Sequence, residues 1–81
     1  MTLQSLSGEK LLLWRRQLLF QGGRSVDLDW LLDIGAGLRW SQLQKLHIDP
    51  KRTISLEKSL EDLEKIWNSH IEKQIPLQYL L

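Results

Sequence analysis

At 81 residues and a net charge of +1, the chain has room for one small hydrophobic core and lacks the clustered basic surplus with which proteins track nucleic-acid phosphates. Its 42% hydrophobic and 26% charged residues are the balance of a folded domain rather than a disordered tail, and the absence of cysteine excludes disulfides and thiolate metal sites. The longest apolar run, Leu11 to Trp14, is far too short to cross a bilayer and no signal-peptide core opens the chain, so the expectation is a soluble cytoplasmic domain with neither membrane nor nucleic acid as partner.

Ser7 is placed to cap a first helix over 8–21, with Glu9 in the first turn at the positive end of the helix dipole. Leu11, Trp14 and Leu18 make its apolar stripe, and Gly22-Gly23 stops it. Ser25 reads as the cap of a short second helix, in which Leu28, Leu31, Leu32 and Ile34 recur between Asp27, Asp29 and Asp33 until Gly35 ends it. Ser41 and Gln44 have the spacing of a capping box, which predicts a very short third helix to Leu46 and then a turn at Asp49-Pro50. Ser55 caps the strongest helix, about five turns long, where Leu56, Leu60, Leu63, Ile66, Trp67, His70 and Ile71 share a face and Glu61 pairs with Lys65. Pro76 ends that helix near Lys73 or Gln74. No strand is expected anywhere.

These elements predict an all-α fold, a small antiparallel bundle of four to five helices with a long C-terminal helix packed on the first. The bundle occupies 1–74, and 75–81 leaves it as an extended apolar tail. Trp14, Trp30 and Trp67 are expected in the core; Trp40, beside a turn, suits core and contact roles equally.

Catalytic chemistry needs converging polar groups, and the sequence offers little: His47 and His70 have no carboxylate at ligand spacing, and metal-protease, EF-hand and P-loop patterns are absent. Gly35-Ala36-Gly37 follows a helix rather than a strand and reads as a helix stop, not a dinucleotide loop. No catalytic, cofactor-binding or metal residue is therefore assigned. Arg15, Arg16, Arg24 and Arg39 make either a solvated face or, with Trp40, a surface for a protein partner. The tail is expected to be covered by something outside the bundle, the alternative being that Leu77, Tyr79 and Leu80 fold back onto it.

Three segments carry a family resemblance: Asp27-Leu28-Asp29-Trp30-Leu31-Leu32, Trp40-Ser41-Gln42-Leu43, and Ile75-Pro76-Leu77-Gln78-Tyr79-Leu80. Together they resemble the N-terminal domain of HemK-type methyltransferases, which modify the glutamine of peptide-chain release factors, with the wording of the cyanobacterial forms. The resemblance implies a helical bundle that positions the release factor ahead of a Rossmann-like catalytic domain binding S-adenosylmethionine. It makes Pro76, Leu77, Tyr79 and Leu80 the start of the linker to that domain. The family's Asn-Pro-Pro-Tyr motif and glycine-rich cofactor loop are missing from these residues, so the chain alone is expected to be non-catalytic and cofactor-free. Where family members carry paired arginines late in the last helix, this sequence has Ser69 and His70. The competing readings are a free-standing helical adaptor whose tail docks on another protein or a second copy, and, more weakly, a small nucleic-acid-binding domain.

Overall fold

The computed structural model describes residues 4–81. Strand β1 (Gln4–Ser7) leads into α1 (Gly8–Gln21), followed by α2 (Ser25–Ala36), α3 (Trp40–Ile48), strand β2 (Thr53–Leu56), α4 (Leu60–Lys73) and a single 3-10 turn at Leu77–Tyr79. Helices dominate, as the sequence predicts, but the two strands do not appear in that reading. They pair antiparallel, with Gln4 opposite Leu56 and Ser7 opposite Thr53. Thr-Ile-Ser-Leu alternates polar and apolar residues, whereas Gln-Ser-Leu-Ser has a single apolar one, and Leu6 and Leu56 are buried while Ser5 and Ser55 face solvent. Four residues are too few for period-two patterning to stand out, and each strand exists only through a partner some fifty residues away.

The strand also shortens the last helix. Leu56 lies four residues before Leu60 and fits the helical row, yet it belongs to β2; the cap is Ser59, whose hydroxyl accepts from the Asp62 N–H at 3.1 Å. Helix α4 is therefore 14 residues, no longer than α1. It ends at Gln74, which takes a left-handed conformation (φ 55°) just before the Pro76 constraint.

Helix α1 begins and ends as its sequence predicts. The Ser7 hydroxyl accepts from Lys10 N–H at 3.2 Å, and the carbonyls of Arg52 and Pro50 accept from Gly8 and Glu9 N–H at 2.8 and 2.7 Å. Three free donors of the first turn are thus satisfied by one side chain and by the loop before β2. Helix α2 starts one residue earlier than a Ser25 cap requires: Ser25 is its first residue and Arg24 its uncapped N-terminal neighbour. It closes at Gly37 (φ 74°), letting the N–H groups of Gly37 and Leu38 reach the Asp33 and Leu32 carbonyls at 3.1 and 3.0 Å. Helix α3 starts at Trp40, so the third-position glutamine is Gln42 rather than Gln44, and its Oε1 accepts from Arg39 N–H at 3.0 Å. The reciprocal half of the box is missing because arginine has no side-chain oxygen to offer.

The core gathers Leu11, Trp14 and Leu18 of α1, Leu28, Leu31 and Leu32 of α2, Leu43 and Leu46 of α3, and Leu63 and Trp67 of α4. The packing partners differ from the expected ones: α4 lies chiefly against α2, and α1 against α3. The tail also departs from the extended form. It makes its 3-10 turn against the end of α4, burying Leu77 and half-burying Leu80, while Tyr79 stays exposed. Among the described residues no helix is long and apolar enough to cross a membrane.

Candidate partner-binding surface

The five residues singled out for partner contact are distributed over four places. Arg15 is already engaged: its Nε and Nη2 donate to the two carboxylate oxygens of Asp29 at 2.8 and 3.1 Å, a two-pronged ion pair joining α1 to α2. Both side chains are about four-fifths buried, at 19% and 18% exposure. Among the described residues this is the ion pair present, and Glu61 and Lys65 do not form the expected one. Arg16, one residue on, is exposed and borders a shallow hollow with Gln17, Phe20, Gln21 and Glu64. Arg24 borders another with Gly23, Asp27, His70, Gln74 and Pro76. Arg39 and Trp40 stand exposed at the start of α3, away from both hollows. Neither of these hollows is lined by more than one of the arginines.

The tryptophans divide evenly. Trp14 and Trp67 are buried as expected, whereas Trp30 is 40% and Trp40 63% exposed. Trp30 departs from the core reading because α2 turns Leu28, Leu31 and Leu32 inward, and position 30 lies on the opposite side of the helix.

A feature the sequence reading missed is the junction of α2, α4 and the tail. Asp27, Trp30, His70, Pro76, Leu77 and Gln78 line a cleft of about 300 Å³, which adjoins the Arg24 hollow through Asp27, His70 and Pro76. His70 organises it. Its Nδ1–H donates to the Ile75 carbonyl at 2.7 Å, and its ring lies 5.3 Å from Trp67, tilted by 46°. A carbonyl only accepts, so Nδ1 carries the proton. His70 thus fastens the chain just after the left-handed Gln74, where it leaves α4. The spacing from His70 to Ile75 is visible in the sequence, but the bond depends on Gln74 reversing the backbone.

Among the described residues no three His, Asp or Glu side chains gather as a metal site would, and His47 donates locally to the Leu43 carbonyl at 3.0 Å. What the surface does offer is exposed aromatic and aliphatic groups beside arginines, the composition of protein–protein contacts.

Comparison with known proteins gives this surface a context. No family model matches the chain, and no solved structure matches it. Among curated proteins, the chain is 56% identical over 75 residues to a release factor glutamine methyltransferase of Prochlorococcus marinus, covering 93% of this chain and 26% of that protein. It is 29% identical over 83 residues to a protein of the same name from Synechocystis, again covering 93% of this chain and 26% of its relative. The chain spans about a quarter of the length of the curated relatives it matches. The chain is thus similar along nearly all of its length to part of cyanobacterial release factor glutamine methyltransferases, the resemblance that the three sequence segments carry.

Proposed function

We infer that this chain is the N-terminal helical domain of a release factor glutamine methyltransferase, and that its part is to recognise and position the release factor while another part of the polypeptide transfers the methyl group. The observation that supports it is the 56% identity that runs through 93% of this chain but only 26% of its relative. The methyl donor implied by the family, S-adenosylmethionine, is proposed to bind elsewhere in the polypeptide, since the one glycine-rich segment here is otherwise engaged. Gly35-Ala36-Gly37 closes a helix, Gly35 is packed against Leu31 and Leu81, and Gly37 abuts the Glu57 side chain. Donor binding and transfer are assigned to the rest of the polypeptide, and the whole is read as a cytoplasmic protein methyltransferase.

A rigid recognition domain accelerates such a reaction by raising the effective concentration of the acceptor glutamine at a distant pocket. Arg16, Arg24, Arg39 and Trp40 are the proposed contacts, since all four are exposed; Arg15 contributes indirectly, by holding α1 on α2. Removing residues 1–74 from the full-length enzyme is expected to raise KM for the release factor while leaving donor binding intact. Unchanged methylation kinetics would end this reading. Replacing Arg16 and Arg24 by glutamate tests the contact assignment by itself, with weaker release-factor binding as the expected result.

A further inference from the structure

Helix α2 is apolar on two sides. Leu28, Leu31, Leu32 and Ala36 are buried in the core, yet Val26, Trp30 and Ile34, at i, i+4 and i+8, form a stripe on the outward side, 61%, 40% and 57% exposed. At 100° per residue, Asp33 borders this stripe on one side and Asp27 on the other, and no cation interrupts it. A helix that is apolar all round is one covered on both faces.

The stripe is continuous with the tail. Trp30 shares a cleft with Pro76 and Leu77, and Leu81 reaches within 3.4 Å of the position a side chain on Gly35 would take. Gly35 is on the buried side of α2, so residue 81 ends against this helix beside the core, and it is Pro76 that meets the stripe.

We propose that the Val26–Trp30–Ile34 stripe, extended by Pro76, is the seat on which the portion of the polypeptide following residue 81 docks. The proposal rests on the reading of this chain as the N-terminal part of a longer enzyme, and it names the surface joining that part to the rest. The relatives have about three-quarters of their length outside the matched region, so a large tethered body is available. Three side chains and a tail are too little for a stable dimer, which buries roughly 1,200–2,000 Å². A tethered contact needs less, because linkage already supplies a high effective concentration. A second copy on the stripe would also set Asp27 and Asp33 against their own duplicates. The docking face on the downstream portion is accordingly apolar at its centre with lysine or arginine at its rim.

Hydroxyl-radical footprinting of the full-length protein and of the 81-residue chain, without release factor, tests this. Trp30 is expected to react severalfold more slowly in the full-length protein, while Phe20 and Ile48, exposed on other elements, react alike in both. Equal Trp30 reactivity would overturn the proposal. So would protection that appears in the 81-residue chain on concentration and disappears on dilution, which assigns the stripe to a second copy. In the full-length protein, replacing Trp30 and Ile34 together by serine is expected to enlarge the radius of gyration in X-ray scattering without loss of helical circular dichroism. An unchanged radius with an unchanged footprint would equally overturn it. Because no release factor is present, a failed methylation assay leaves this result standing, and an unprotected Trp30 leaves recognition untouched.

Discussion

Single residues set the tightest tolerances of this fold at the α1–α2 connection. Gly23 sits at φ 91°, and a Cβ there would overlap the Trp67 ring and stand 2.7 Å from Ile71 Cδ1. Its neighbour Gly22 also has positive φ, 134°, but its nearest foreign atom would be 3.9 Å away. Gly23→Ala combines backbone strain with overpacking and is expected to cost about 2–5 kcal/mol, against about 1–2 kcal/mol for Gly22→Ala, which meets strain alone. Urea midpoints of the two variants check this, and equal shifts would show that the contact with Trp67 is unimportant. The sequence marks both glycines as a helix stop. That one of them is also a socket for Trp67, forty-four residues away, is visible only once α4 is laid beside the connection. The same ring leaves its own Nε1–H buried without a partner, a cost of about 1–3 kcal/mol that its apolar burial offsets.

At the scale of elements, the two short strands hold the bundle's ends together by side chains as well as by their ladder. Gln4 of β1 reaches the start of α4, where its Oε1 accepts the free Leu60 N–H at 2.7 Å. Ser59 supplies the local cap beside it, so α4 begins with one neighbouring and one distant acceptor. Gln4→Ala is expected to destabilise the fold by about 1 kcal/mol and to speed hydrogen exchange at the Leu60 amide before amides deeper in α4. Unchanged exchange at Leu60 would deny the cap its role. The Ser59 cap was open to recognition, since Asp62 stands at the third helical position after it. Ser55, four residues earlier, competes for the role because Leu56 continues the apolar row. The choice between them depends on β1 claiming residues 53–56 as a strand.

At the scale of the molecule, the radius of gyration of 11.9 Å matches the roughly 12 Å of a compact domain this long, and every helix contributes to one core. Unfolding in urea is therefore expected to be a single transition, reported alike by tryptophan fluorescence and far-ultraviolet circular dichroism. Separated transitions would mean that the strand pair opens independently of the helices. The total stability expected is about 4–12 kcal/mol, so the Gly23 substitution alone approaches its lower bound.

The sequence by itself determined the helical class, the limits of α1 and the end of α4 near Lys73 or Gln74, because caps, glycine stops, proline constraints and 3.6-residue periodicity are local properties of the chain. It also singled out the candidate arginines and Trp40 as residue types suited to contact. Tertiary structure decided which of them remain exposed: Arg15 is taken up by Asp29, fourteen residues on, while Trp30 faces outward because the leucines of α2 claim the inner side. The strand pair, the burial of Leu77 and the preference of α4 for α2 were likewise decided there. Each depends on pairing segments distant in sequence, whose gain is absent from either segment alone.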